Sequence, residues 1–343
     1  MMKQIRTQDA VGHILCHDIT KIIKGVTKDA AFRKGHIVAE EDIPELLSLG
    51  KENLFVWELQ EGMLHENEAA QILYEICAGE NMRPSEVKEG KIEVVAGCDG
   101  LLLVDTQRLY GINSLGEMMI ATRHGGFWVK KGEKLAGARI IPLMIEEEKM
   151  EKARAIGGGK PLLSLRPFSV KKAGIIATGS EIFHGRIEDT FTPVIEAKLA
   201  EYGAVAGEKI ILSDEPDAIT TAILSMIRNG ADMVACTGGM SVDPDDRTPL
   251  AIRNTGADIV SYGAPVLPGA MFMLAYYEGK IPVVGLPGCV MYAERTIFDL
   301  VLPRLMADIP ITAGELAALG HGGLCLNCGT CTWPNCGFGK GVV

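Results

Sequence analysis

Ala173-Gly174-Ile175-Ile176-Ala177-Thr178-Gly179-Ser180-Glu181 decides how this chain is read. An uncharged, largely apolar run enters a Thr-Gly-Ser turn without alternation. That is the pattern of a strand buried on both faces, since a half-exposed strand alternates apolar and polar residues. The same grammar recurs at 232–237, which leads into Gly238-Gly239-Met240-Ser241, and at 281–286, which leads into Pro287-Gly288. Further strands are expected over 204–212 and 259–262. Helical stretches fall between them at 192–202 (Val194, Ile195, Leu199 and Ala197 inward), 216–229, 248–255 and 289–304. Strands joined by helical crossovers make an α/β domain: a doubly wound, mostly parallel sheet covered on both faces.

Ligands of such sheets bind beyond the carboxyl ends of the strands, so the residues after each strand carry the functional reading. They are Thr178-Gly179-Ser180-Glu181; Thr237 to Ser241, followed by Asp243-Pro244-Asp245-Asp246-Arg247-Thr248-Pro249; and Pro287-Gly288. Gly238 and Gly239 allow positive φ and close backbone approach, and consecutive amides can form an anion-binding nest. Helix starts after Pro287-Gly288 and near Thr248 would add positive dipole ends. Glu181, Asp189, Asp214, Asp243, Asp245 and Asp246 stand beside these turns. Carboxylates next to a phosphate site suit Mg²⁺, which binds one or two carboxylates plus phosphate oxygens. Capping or turn formation is the competing role for Asp189, Asp214 and Asp243.

Outward from this core, 343 residues are too many for one typical domain. Residues 1–156 read as a strand-rich α+β module, with helices at 43–50 and 67–77 and strands at 51–58, 92–96, 101–104, 117–122 and 139–145. A charged helix over 146–156 runs into Gly157-Gly158-Gly159-Lys160-Pro161, so 157–172 is expected to be a linker. The α/β domain then occupies 173–310, and a short tail 311–343. A formal charge of −10 disfavours nucleic acid or an anionic membrane as partner and requires an anionic ligand to be held locally. No apolar run approaches the ~20 residues of a membrane span. The opening Met1-Met2-Lys3-Gln4 lacks a signal-peptide core, so a cytoplasmic protein is expected.

Cys16, Cys77, Cys98, Cys236 and Cys289 are scattered among apolar neighbours and read as small buried residues. Cys325-Leu-Asn-Cys328-Gly-Thr-Cys331-Thr-Trp-Pro-Asn-Cys336 is different. Two successive C-x₂-C steps match the tight wrap of bacterial iron–sulfur segments, although the last spacing departs from that pattern. Zinc Cys₄ sites more often place two C-x₂-C pairs apart in sequence. A [4Fe–4S] cluster is therefore expected ahead of Zn²⁺, with unligated thiols or a redox disulfide as the remaining readings.

Thr178-Gly179-Ser180-Glu181-Ile182, Asp214, Thr237-Gly238-Gly239-Met240-Ser241, Asp246-Arg247-Thr248-Pro249 and Gly285-Leu286-Pro287-Gly288 together resemble the molybdopterin-binding domain. That domain occurs in molybdopterin adenylyltransferases, molybdopterin molybdenumtransferases and competence-damage-inducible proteins. The resemblance implies molybdopterin or its adenylate with its phosphate on the Thr237, Gly238, Gly239, Met240, Ser241 loop. It places Thr178, Gly179, Ser180, Pro268, Gly269, Pro287 and Gly288 along the pocket. Glu181, Asp214 and Asp246 would be the catalytic acids, with Asp214 and Asp246 on Mg²⁺ and molybdate as a substrate to be inserted. Gly12 to Ile19, the stretch from Gly35 to Gly50, and Lys131 to Gly137 resemble a diverged molybdenumtransferase N-terminal region, without its Ser-x-x-Asp-Gly-Tyr-Ala motif. A cofactor carrier or redox sensor, and a nucleotide pyrophosphatase of competence-damage-inducible type, are the alternative functions. The family's habit of forming oligomers admits a homodimer.

Overall fold

The computed structural model describes residues 2–341 apart from 24–26, 58–60, 89, 170, 242, 244 and 245. The chain divides into two compact units. The first comprises Met1–Gly97, Val104–Arg123 and Gly132–Ser164; the second comprises Cys98–Leu103, His124–Lys131 and Leu165–Val343. The division falls at Ser164–Leu165, inside the stretch 157–172, and two short stretches of the N-terminal sequence group with the α/β unit.

The first unit is strand-rich. Met2–Arg6, Asn53–Trp57 and Ile14–Leu15 form one antiparallel sheet, over a core that includes Leu15, Leu46, Leu54 and Val56. Met118–Thr122, Lys134–Ile140, Lys91–Ala96 and Met82–Pro84 form a second, also antiparallel. The helix Glu66–Cys77 packs on this sheet and buries Ala69, Ala70, Leu73 and Ile76. The strand expected at 139–145 lies earlier, at Lys134–Ile140, with a separate short strand at Met144–Glu146. The connector helix Glu147–Gly157 ends in Gly158 at φ 62°, a left-handed cap that glycine adopts at little cost.

The second unit holds a six-stranded sheet. Its strands are β1 (Lys172–Thr178), β2 (Val205–Leu212), β3 (Met233–Thr237), β4 (Asp258–Tyr262), β5 (Met273–Tyr277) and β6 (Ile281–Leu286). They lie in the order β2-β1-β3-β6-β5-β4. The β1–β2, β1–β3 and β3–β6 pairs are parallel, and β5 is antiparallel to both neighbours. The helices are α1 (Phe191–Ala200), α2 (Pro216–Arg228), α3 (Thr248–Asn254) and α4 (Ile297–Met306). Strand alternation sends Ile175, Met233, Ala235, Leu274 and Val284 to one face, with Ile195 and Leu199 of α1 and Phe298 and Val301 of α4. Ile176, Val234, Cys236, Met273 and Val283 go to the other, with Ile219 and Ile223 of α2 and Ala251 and Ile252 of α3. Both faces are therefore covered, and the sheet is doubly wound and mostly parallel.

Three local expectations differ from the structure. Ala197 is exposed, and the buried position next to it belongs to Lys198, whose ammonium is 2.6 Å from the buried Asp299. β5 was not anticipated. The helix expected over 289–304 is two pieces: a 3₁₀ turn at Gly288–Met291 and α4, which starts at a Thr296/Asp299 capping box. Among the described residues, no helix is long and apolar enough to cross a membrane.

Candidate functional site

A cavity of about 1140 Å³ opens at the carboxyl ends of β1, β2 and β3. Thr178, Gly179, Ser180 and Glu181 enter it from β1, Ser213 and Asp214 from β2, and Gly238, Gly239, Asp243, Asp246 and Arg247 from the segment after β3. These residues meet because adjacent parallel strands place all their following loops at one sheet edge.

The glycines are required by the backbone. Gly238 has φ 88°, and a Cβ there would stand 2.0 Å from the Thr178 carbonyl oxygen. Gly239, at φ 56°, lies against Thr248, whose hydroxyl donates to the Gly238 carbonyl at 2.8 Å. The Thr178 and Thr248 hydroxyls are 3.2 Å apart, so the β1 and β3 turns are tied to each other and to α3. The Thr237 hydroxyl at the end of β3 is buried without a partner among the described residues, a state that ordinarily costs about 1–3 kcal/mol.

Backbone amides fix the carboxylates. The amide and hydroxyl of Ser180 both donate to Asp214 Oδ2, at 3.0 and 3.2 Å. The Ser241 amide donates to Asp246 Oδ2 at 2.9 Å, which closes the turn after β3. The Tyr262 hydroxyl donates to the Met240 carbonyl at 2.9 Å; burial and then the nearby Asp246 carboxylate hold that phenol above its usual range. Glu181 packs across Gly179.

Other expected site residues lie elsewhere. Asp189 accepts from the amides of Phe191 and Thr192 and so caps the start of α1. Thr237 and Met240 are buried; Met240 fills the space left by Gly285, where a Cβ would be 2.5 Å from its methyl group. Ser241, Pro287 and Gly288 do not line the cavity. The four-residue 3₁₀ turn after Pro287 supplies no long helix dipole. Gly269 is packed against Ile297, and Pro268 lines a second cavity together with Cys325, Cys328, Cys331 and Cys336. Pro244 and Asp245 lie outside the described residues. Arg247 has no motif of its own in the sequence, yet it is the one cation among the described residues lining the first cavity, beside six carboxylates. The Asp246-Arg247-Thr248 run was the available signal. Of the scattered cysteines, Cys77 and Cys236 are buried, each pushed up to about 12 by burial, whereas Cys16, Cys98 and Cys289 are only partly so.

Fold and pocket first define a class: a doubly wound α/β domain with a glycine-turned, acid-lined cavity at its strand ends. Within that class, residues 174–307 match the family described as "Probable molybdopterin binding domain". Residues 4–58 match a domain of unknown function, DUF8806. A CinA-like protein of Mycobacterium tuberculosis (strain ATCC 25177 / H37Ra) is 32% identical over 90 residues, which is 26% of this chain and 21% of that protein. The chain thus spans about a fifth of the length of such curated relatives. CinA from Thermoplasma acidophilum, a protein of unknown function, is similar in structure at 20% identity and TM-score 0.35, over 40% of this chain and 98% of that one. The molybdopterin biosynthesis enzyme MoaB from Thermus thermophilus is similar at 23% identity and TM-score 0.32, over 40% and 92%.

Proposed function

We propose that this domain handles the molybdenum cofactor by holding molybdopterin or its adenylate through its phosphate against Gly238-Gly239 of the turn after β3, with Asp214 and Asp246 as the residues that would hold Mg²⁺ beside it. The observation that carries this reading is the convergence of three loops on one cavity that bears, among the described residues, six carboxylates and a single guanidinium. An anion is held there by backbone amides, by Arg247 and by a cation that offsets the acids. Gly238-Gly239 provides the close backbone approach, and the orphaned Thr237 hydroxyl leaves a polar group at the same strand end. Bound Mg²⁺ would neutralise phosphate oxygens and polarise the phosphoryl group. Ser180 orients Asp214, Ser241 orients Asp246, and Glu181 faces the ligand from the first loop. Molybdate insertion into the adenylate, with AMP leaving, is the reaction this arrangement would serve.

A second reading is hydrolysis of a nucleotide pyrophosphate by the same loops, the activity that the resemblance of these motifs to competence-damage-inducible proteins implies. One assay separates them. Purified protein is incubated with molybdopterin-adenylate, Mg²⁺ and molybdate, and in parallel with nucleotide pyrophosphates. Molybdate-dependent AMP release supports the first reading; release only from nucleotide substrates supports the second. Asp246→Asn is expected to weaken Mg²⁺-dependent molybdopterin binding by about tenfold or more, the scale of a lost charged ligand. Unchanged affinity would show Asp246 to be only the acceptor for the Ser241 amide.

A further inference from the structure

The second cavity, about 860 Å³, is lined by Arg295, Trp333 and all four tail cysteines. The tail is anchored on either side of the cysteines. Before them, the Leu267 amide donates to the Gly323 carbonyl and the Cys325 amide to the Leu267 carbonyl, both at 2.8 Å. After them, Phe338 is buried in the core of the α/β unit and the Gly339 amide donates to Gly322 at 2.9 Å. The segment that carries the four thiols is thus fixed at both ends, and all four line the one cavity. All four are free thiols. Arg295 stacks on Trp333 at 4.5 Å, and Arg295 Nε and Trp333 Nε1 are both buried N–H donors without a partner among the described residues.

Among the described residues, no three His, Cys, Asp or Glu side chains already stand together as a metal site. Ligation therefore has to draw the thiols inward. The stretch that carries them can allow this, being irregular from Leu326 to Cys331 and carrying Cys328 on the surface.

We propose that Cys325, Cys328, Cys331 and Cys336 ligate one [4Fe–4S] cluster in this cavity. The two C-x₂-C steps suit a single cubane wrapped by consecutive residues better than a zinc site made from separated pairs. The cavity is larger than a lone ion needs. Bridging sulfides accept hydrogen bonds, and Arg295 and Trp333, whose Nε and Nε1 have no partner among the described residues, belong to the residues that line the cavity. The site is independent of the pterin reading; Met291 lines the first cavity and Tyr292 to Arg295 the second, so consecutive residues of one segment reach both.

The full chain is purified without oxygen and, in parallel, reconstituted with ferrous iron and sulfide. Expected are about four iron and about four acid-labile sulfide per chain with a broad visible absorbance. Cys328→Ser, at an exposed position, is expected to lose most of both while keeping its circular dichroism. Cys98→Ser and Cys289→Ser should retain the full complement. Three results would overturn the assignment: no iron uptake, iron that persists in the Cys328→Ser/Cys331→Ser double variant, or zinc that iron and sulfide do not displace. Should Cys328→Ser misfold, loss of the absorbance on alkylating the exposed thiol before reconstitution provides the same comparison.

Discussion

At Gly238 the constraint on the candidate site is steric before it is chemical. Its positive φ disfavours any side chain, and its Cβ position is occupied by the Thr178 carbonyl oxygen. Gly185 also has a positive φ, 66°, but a Cβ there would meet nothing within 4 Å. The two positions therefore separate backbone preference from collision. Gly185→Ala is expected to cost about 1 kcal/mol, the left-handed penalty alone. Gly238→Ala adds the clash and should cost about 2–4 kcal/mol, with loss of molybdopterin binding. Urea unfolding of both variants, followed by ligand titration, makes the comparison. Equal destabilisation would mean that the turn shifts away from Thr178 easily and that its tight closure is unimportant. Arg247 shows the limit of reading residues in isolation: a lone arginine in a turn has no signature until the fold sets it among six carboxylates.

Elements were legible in proportion to how fully their patterns were local. β1, β3 and β6 stood out because strands buried on both faces are uninterrupted apolar runs. β5 was missed because it returns to β6 through Glu278-Gly279-Lys280, with Glu278 itself at φ 49°, a turn without the usual Asn-Gly or Asp-Gly signal. The overlong helix after Gly288 ignored the Thr296-x-x-Asp299 capping box that starts α4. The strand-end loops were placed correctly in order, but a sequence cannot say which of their residues face the cavity and which, like Met240, fill the core. The glycine-rich segment after Gly157 is a related case. Arg108, at the start of the helix Thr106–Asn113, donates to the carbonyls of Gly157, Lys160 (2.7 Å) and Pro161 (3.1 Å), and pairs with Asp105 at 2.8 Å. A stretch that reads as a hinge is thus tied down by one side chain. Arg108→Ala is expected to destabilise the first unit by about 1–3 kcal/mol. Asp105 is held below the usual carboxylate range by the Arg108 amide and then its guanidinium. Its contribution is therefore complete above the unfolded-state value of about 4 and is lost as pH falls through the lower folded value. Acid unfolding of Asp105→Asn should show a shallower loss of stability in that window, and an identical pH profile would assign the capping to hydrogen bonding alone.

For the whole molecule, charge separates this candidate phosphate site from the commoner basic kind. The chain carries −10, and among the described residues the cavity's lining holds one cation beside six acids. A ligand phosphate approaching without Mg²⁺ therefore meets a repulsive field, whereas a lysine-lined site would attract it. Salt screens both effects, with a Debye length of roughly 20 Å at about 20 mM and roughly 7 Å at about 200 mM. In metal-free buffer, molybdopterin affinity should thus hold steady or rise, by roughly twofold, as salt increases across that range. With Mg²⁺ in excess, the bound cation offsets the acids, so affinity should be much higher and should decline gently with salt. Isothermal titration under four conditions, with and without Mg²⁺ at both salt concentrations, gives the sign directly. A steep fall in affinity with salt in the absence of Mg²⁺ would mean that direct pairing with cations holds the phosphate. The backbone-and-metal account of the pocket would then have to give way to one centred on Arg247.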